Sequence, residues 1–76
     1  MKLELYKRDT CPYCMRVMSF IDTIGADVEM HDISRNAADR ERLVAVGGKQ
    51  QVPCLLIDGK PLYESADIIA WLKANA

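Results

Sequence analysis

The chain has 76 residues, half of them hydrophobic, and a net charge of −1. That is enough for one small domain spanning residues 1–76, and it excludes the basic footprint of a nucleic-acid binder. No run approaches the roughly 20 apolar residues of a membrane span. The N-terminal stretch MKLELYKRD is too charged for a secretory signal, so the expected location is the cytoplasm.

In chain order, KLELY (2–6) alternates with Leu3 and Leu5 on one face, which predicts a strand. Cys14, Val17, Met18, Ile21 and Ile24 recur at helical spacing, and Gly25 is the expected stop. DVEMHDI (27–33) alternates Val28, Met30 and Ile33 against charged neighbours, predicting a second strand over 27–31. NAADRERLVAVGG (36–48) predicts a helix capped by Asn36, with Leu43 and Val46 inward and Gly47–Gly48 ending it. VPCLLI (52–57), Asp58–Gly59 and PLY (61–63) spell a hairpin. SADIIAWLKAN (65–75) closes as a helix with Ser65 as the expected cap and Ile68, Ile69, Trp71 and Leu72 as its buried surface.

The order β-α-β-α-β-β-α predicts an α/β fold. A right-handed strand–helix–strand unit gives a parallel pair. The hairpin adds antiparallel strands, making a four-stranded mixed sheet flanked by three helices.

Three cysteines are an odd set, whereas small secreted disulfide scaffolds carry an even one. Two of them, Cys11 and Cys14, lie two residues apart in TCPYC, after the first strand and at the start of the first helix. Zinc fits poorly, because only Cys54 and His31 remain as further ligands and they form no second pair. A redox centre explains more. Unpaired N–H groups and the helix dipole favour an anion at Cys11. Pro12 suits the first turn because its missing N–H is not needed there, and Lys7 and Arg8 add positive charge. Such settings lower a thiol from about 8.5 to roughly 3.5–7.5. Cys14, one turn further in, is the resolving partner and Cys11 the attacking one.

YKRDTCPYC (6–14), QVPCLLIDGKPL (51–62) and ESADIIAWL (64–72) together resemble a dithiol glutaredoxin, with the thioredoxin-like fold. The resemblance implies reduction of protein–glutathione mixed disulfides, and of some protein disulfides, with glutathione as co-substrate and no metal. Glutathione and glutathionylated or disulfide-bonded proteins would be its partners, with no nucleic acid or membrane, and the chain would act as a monomer. It implies Cys11 as nucleophile and Cys14 as resolving cysteine, with Tyr13 beside the glutathione sulfur. Arg8 and Lys49 fall at positions for the glycyl carboxylate. Val52 and Pro53 match a Val–cis-Pro pair whose valine backbone pairs with the cysteinyl part as an added strand would.

Two departures stand out. Before the last helix, glutaredoxins usually carry Gly-Gly-Cys-Asp or similar. Here Glu64-Ser65 resembles the glutathione transferase version, in which these residues hold the γ-glutamyl end. Cys54 after Pro53 is not typical, and reads as a small strand residue. Lys7 reads as solvated charge, Gln51 as a surface amide, and His31 has no visible partner.

Alternatives of other classes are a glutathione-assisted [2Fe–2S] cluster-binding protein, against which Pro12 argues, and a hydrogen donor coupled to thioredoxin reductase. The glutathione-binding half of a transferase is a further reading, but the two-cysteine motif does not suit it.

Overall fold

A computed structural model describes residues 1–76. The elements are β1 (Leu3–Lys7), α1 (Pro12–Ile24), β2 (Glu29–Asp32), α2 (Ala37–Gly47), β3 (Cys54–Ile57), β4 (Lys60–Tyr63) and α3 (Ser65–Asn75). The strands form one sheet in the order β2-β1-β3-β4. β1 and β2 are parallel, while β1–β3 and β3–β4 are antiparallel. This is the expected α/β architecture.

Each face of the sheet has its own core. On one side Leu5 and Leu55 pack with Val17 and Ile21 of α1 and Ile68 and Leu72 of α3. On the other, Tyr6, Cys54 and Leu56 pack with Ile33 and with Leu43 of α2. The central strands are therefore covered on both faces, which explains the unbroken apolar run of β3. Each such side chain contributes roughly 1.5–3 kcal/mol by leaving water.

Local chemistry sets the ends of the elements. Asn36 Oδ1 accepts the N–H groups of Ala38 and Asp39 at 2.9 and 3.3 Å. Gly25 and Gly48 end α1 and α2 in the left-handed region, at φ 66° and 81°. Asp58 and Gly59 make the hairpin turn, at φ 49° and 84°. Asp58 Oδ1 also accepts the Lys2 N–H at 2.7 Å, tying the turn to the start of β1.

Four expectations need correction. β2 runs Glu29–Asp32 rather than 27–31, and Met30 is 41% exposed, because β2 is an edge strand. Ser65 is not the cap of α3. That place falls to Glu64 at φ 70°, and no side chain caps the helix. Lys7 is not solvated: its side chain is 12% exposed and pairs with Asp9 and with Asp32 at 3.7 Å. His31 is far from partnerless, since its Nδ1 lies 3.1 Å from Asp39.

Candidate active site

The chain leaves β1 through a turn in which the Cys11 N–H donates to the Arg8 carbonyl at 3.2 Å. Cys11 then occupies the N-cap position of α1 with extended backbone, and Pro12 starts the helix. A cap residue's side chain accepts the free N–H groups of the first turn. Here the acceptor is sulfur, and the Cys14 N–H donates to Cys11 Sγ at 3.4 Å.

The two thiols differ sharply. Burial raises Cys11, but hydrogen bonds from the Cys14 backbone and thiol, the Tyr13 N–H and the Arg8 charge outweigh it. They hold Cys11 below the ordinary cysteine value. Burial pushes Cys14 up to about 12; the Arg8 N–H opposes this, and the neighbouring Cys11 sulfur adds to it. Cys14 is fully buried, whereas Cys11 is half-buried. One sulfur is accessible and favoured toward the thiolate, and the other is buried and held toward the thiol.

Beside them lies a pocket of about 270 Å³ lined by Tyr13, Gln51, Val52, Pro53, Glu64 and Ser65. The Val52–Pro53 bond is cis. Five of the residues singled out from sequence therefore line one pocket: Tyr13, Val52, Pro53, Glu64 and Ser65. Ser65 is 8% exposed and opens α3, so that helix points its N-terminus at the pocket. Such a terminus favours a carboxylate.

Arg8 and Lys49 are not among the lining residues. Arg8 acts on Cys11 through its charge, and its Nε is shielded from solvent without a hydrogen-bond partner. The Lys49 ammonium sits 4.5 Å over the Tyr63 ring. Gln51 is the addition, with its Nε2 donating to Glu64 Oε1 at 3.1 Å and bridging the two sides of the pocket. Its sequence signal was adjacency to Val52-Pro53. Cys54 lies on β3 behind the pocket, fully buried, and burial raises its thiol against the Tyr63 hydroxyl opposite.

Comparison with known proteins agrees with this arrangement. The glutaredoxin family model matches residues 3–62. The chain is 32% identical over 68 residues to glutaredoxin 3 of Escherichia coli K12, covering 90% of this chain and 82% of that one. It is 31% identical over 70 residues to a probable glutaredoxin of Synechocystis, covering 91% and 80%. Among solved structures, the thioredoxin-like protein BC3987 superposes with a TM-score of 0.84 at 29% identity, over 96% of this chain and 97% of that one. Glutathione transferase Omega 3C from Trametes versicolor shares the fold, with a TM-score of 0.84 at 23% identity over 97% of this chain and 33% of that one. The family match over most of the chain, with these relatives, establishes that the chain belongs to the glutaredoxin family and is a glutaredoxin-type thiol oxidoreductase.

Proposed function

We propose that the protein reduces protein–glutathione mixed disulfides with glutathione, through Cys11. The observation that carries this is the opposite displacement of the two thiols: Cys11 lowered at a helix N-terminus, Cys14 raised to about 12 one turn on. The Cys11 thiolate attacks the glutathionyl sulfur of the substrate. A Cys11–glutathione disulfide forms, and the protein sulfur leaves as a thiolate that takes a proton from water. A second glutathione thiolate attacks the glutathionyl sulfur, releasing oxidised glutathione and the Cys11 thiolate.

The pocket is the seat of the glutathionyl group in this reading. Val52 offers backbone to the cysteinyl part, and Tyr13 flanks the sulfur. Ser65 and the α3 N-terminus take the γ-glutamyl carboxylate, and Glu64 its ammonium. Arg8 and Lys49 draw the glycyl carboxylate by charge.

For disulfide-bonded proteins, Cys14 loses its proton and attacks Cys11 Sγ in the mixed disulfide with the substrate. The internal disulfide forms, the substrate thiolate leaves, and two glutathiones restore both thiols. Burial and the neighbouring Cys11 sulfur raise Cys14 in the resting protein, so Cys14 acts only after Cys11 has entered the mixed disulfide.

The test is glutathione-coupled turnover of a glutathionylated peptide. Cys11→Ser should abolish it and Cys14→Ser should retain it. Equal loss in both would overturn these roles, and an inactive wild type that is fully reduced would overturn the glutathione reading.

A further inference from the structure

Outside the thiol site, the edge of the sheet gathers a second set of chemistry-bearing groups. Parallel pairing of β1 and β2 sets Glu4 opposite Glu29 and Tyr6 opposite His31. Glu29 and His31, two residues apart, project to the same face. The His31 ring stacks on Tyr6 with centroids 4.8 Å apart and planes 14° from parallel. The α2 residue Asp39 places Oδ1 at 3.1 Å from His31 Nδ1.

These contacts leave the other ring nitrogen aimed at two carboxylates. His31 Nε2 is out of contact with solvent and without a hydrogen-bond partner. It faces Glu29 Oε1 at 3.3 Å and Glu4 Oε1 at 3.5 Å. The Glu4 side chain is only 5% exposed and makes ion-pair contacts alone, none closer than 3.5 Å. Nε2 and the two carboxylate oxygens thus converge on one point, the arrangement of donors that a cation takes.

We propose that Glu4, Glu29 and His31 form a binding site for a divalent cation of the zinc type, with Asp39 orienting the histidine. Four nitrogen or oxygen ligands at 2.0–2.1 Å around zinc stand roughly 3.3–3.4 Å apart. The His31 Nε2 separations of 3.5 Å to Glu4 and 3.3 Å to Glu29 match that spacing. All three ligand atoms lie within 4.8 Å of one another, so the exposed Glu29 side chain closes on the ion and water completes the set. A carboxylate on the distal nitrogen is the usual support for a metal-bound histidine. Arg42 contacts the other Glu4 oxygen, Oε2, at 3.6 Å. Lys2, 64% exposed, reaches Glu29 and Glu4 only at 3.8 and 4.0 Å and can swing away.

The test is calorimetric titration of zinc into the full chain carrying Cys11→Ser and Cys14→Ser, which removes the thiolates that would bind zinc themselves. One zinc per chain is expected. Affinity should fall at least about 10-fold on adding Glu29→Gln or His31→Gln, and by roughly 10–100-fold with Asp39→Asn. Glu29 is 54% exposed on its side chain, so its variant decides the matter if His31→Gln does not fold. No binding up to millimolar zinc, or binding unaffected by Glu29→Gln, would overturn the proposal.

Discussion

The Tyr63 hydroxyl donates to the Lys49 carbonyl at 3.1 Å, while the Lys49 ammonium sits 4.5 Å over the ring of the same tyrosine. One side chain thus fixes both ends of the residue that precedes the Gln51–Pro53 wall by two positions. Tyr63→Phe keeps the ring and loses the donor. Stability should fall by about 1 kcal/mol. In the glutathione assay KM should rise two- to five-fold, the equivalent of roughly 0.5–1 kcal/mol of positioning, with kcat unchanged. An unchanged KM would separate Lys49 from glutathione binding.

The same hydroxyl explains why the last residue of α2 is a glycine, Gly47. A Cβ there would collide with the Tyr63 oxygen and stand 3.2 Å from its Cζ. Gly47→Ala should cost about 1–3 kcal/mol by overpacking, despite alanine's better helix propensity. In a Tyr63→Phe background the cost should shrink by at least about 1 kcal/mol, a coupling that a double-mutant cycle of urea midpoints measures.

How much of this was legible in the sequence follows from how local each feature is. Gly25, Asn36 and the Asp58–Gly59 turn act within a few residues, so their side chains announce them, and the structure has all three in place. The Cys11–Cys14 asymmetry is equally local, since one helical turn produces it. Lys7 and His31 were misread because the partners that bury them, Asp32 and Asp39, come from elsewhere. Lys7 meets Asp32 only through the β1–β2 register, and His31 meets Asp39 only when α2 folds over the sheet. Ser65 looked like a cap because the residue type fits. The φ of 70° at Glu64, a residue without glycine's freedom, has no sequence signature.

Because Cys11 is held below the ordinary cysteine value, its reactivity should reach half-maximum at a pH below that of a free thiol, about 8.5. The rate of iodoacetamide alkylation should rise with pH through that lower midpoint, as the thiolate forms. Arg8→Ala removes a favourable charge and should move the midpoint up. A midpoint at or above that of free cysteine would contradict the N-cap account of its activation.

Stability should respond to alkali in the opposite sense. Cys14 and Tyr63 are both pushed up to about 12, and Cys54 is raised too. A group raised on folding contributes stability that is complete below its unfolded pKa and disappears as pH climbs through the folded value. For the cysteines that loss begins near about 8.5 and for Tyr63 near about 10. Urea midpoints of the reduced protein should fall steadily from pH 8.5 toward 11. In Cys14→Ser the decline should be shallower, with Cys54 still setting its onset. A flat profile over this range would mean the three groups ionise as freely in the fold as out of it.

Glu64 combines two roles that substitution can separate. Its backbone, at φ 70° and ψ 123°, lies where a side chain costs of order 1–3 kcal/mol. Its carboxylate accepts from Gln51 across the pocket. Glu64→Ala and Glu64→Gly remove the carboxylate equally, but only glycine relieves the backbone. Elsewhere glycine is the less stable of the two by roughly 0.5–1 kcal/mol. At this position the order should invert, with Glu64→Gly more stable than Glu64→Ala by about 1 kcal/mol in urea unfolding. The KM for glutathione should rise to the same extent in both, because the lost contact is the same. If KM instead tracked stability, the conformation and not the carboxylate would be what the γ-glutamyl end requires.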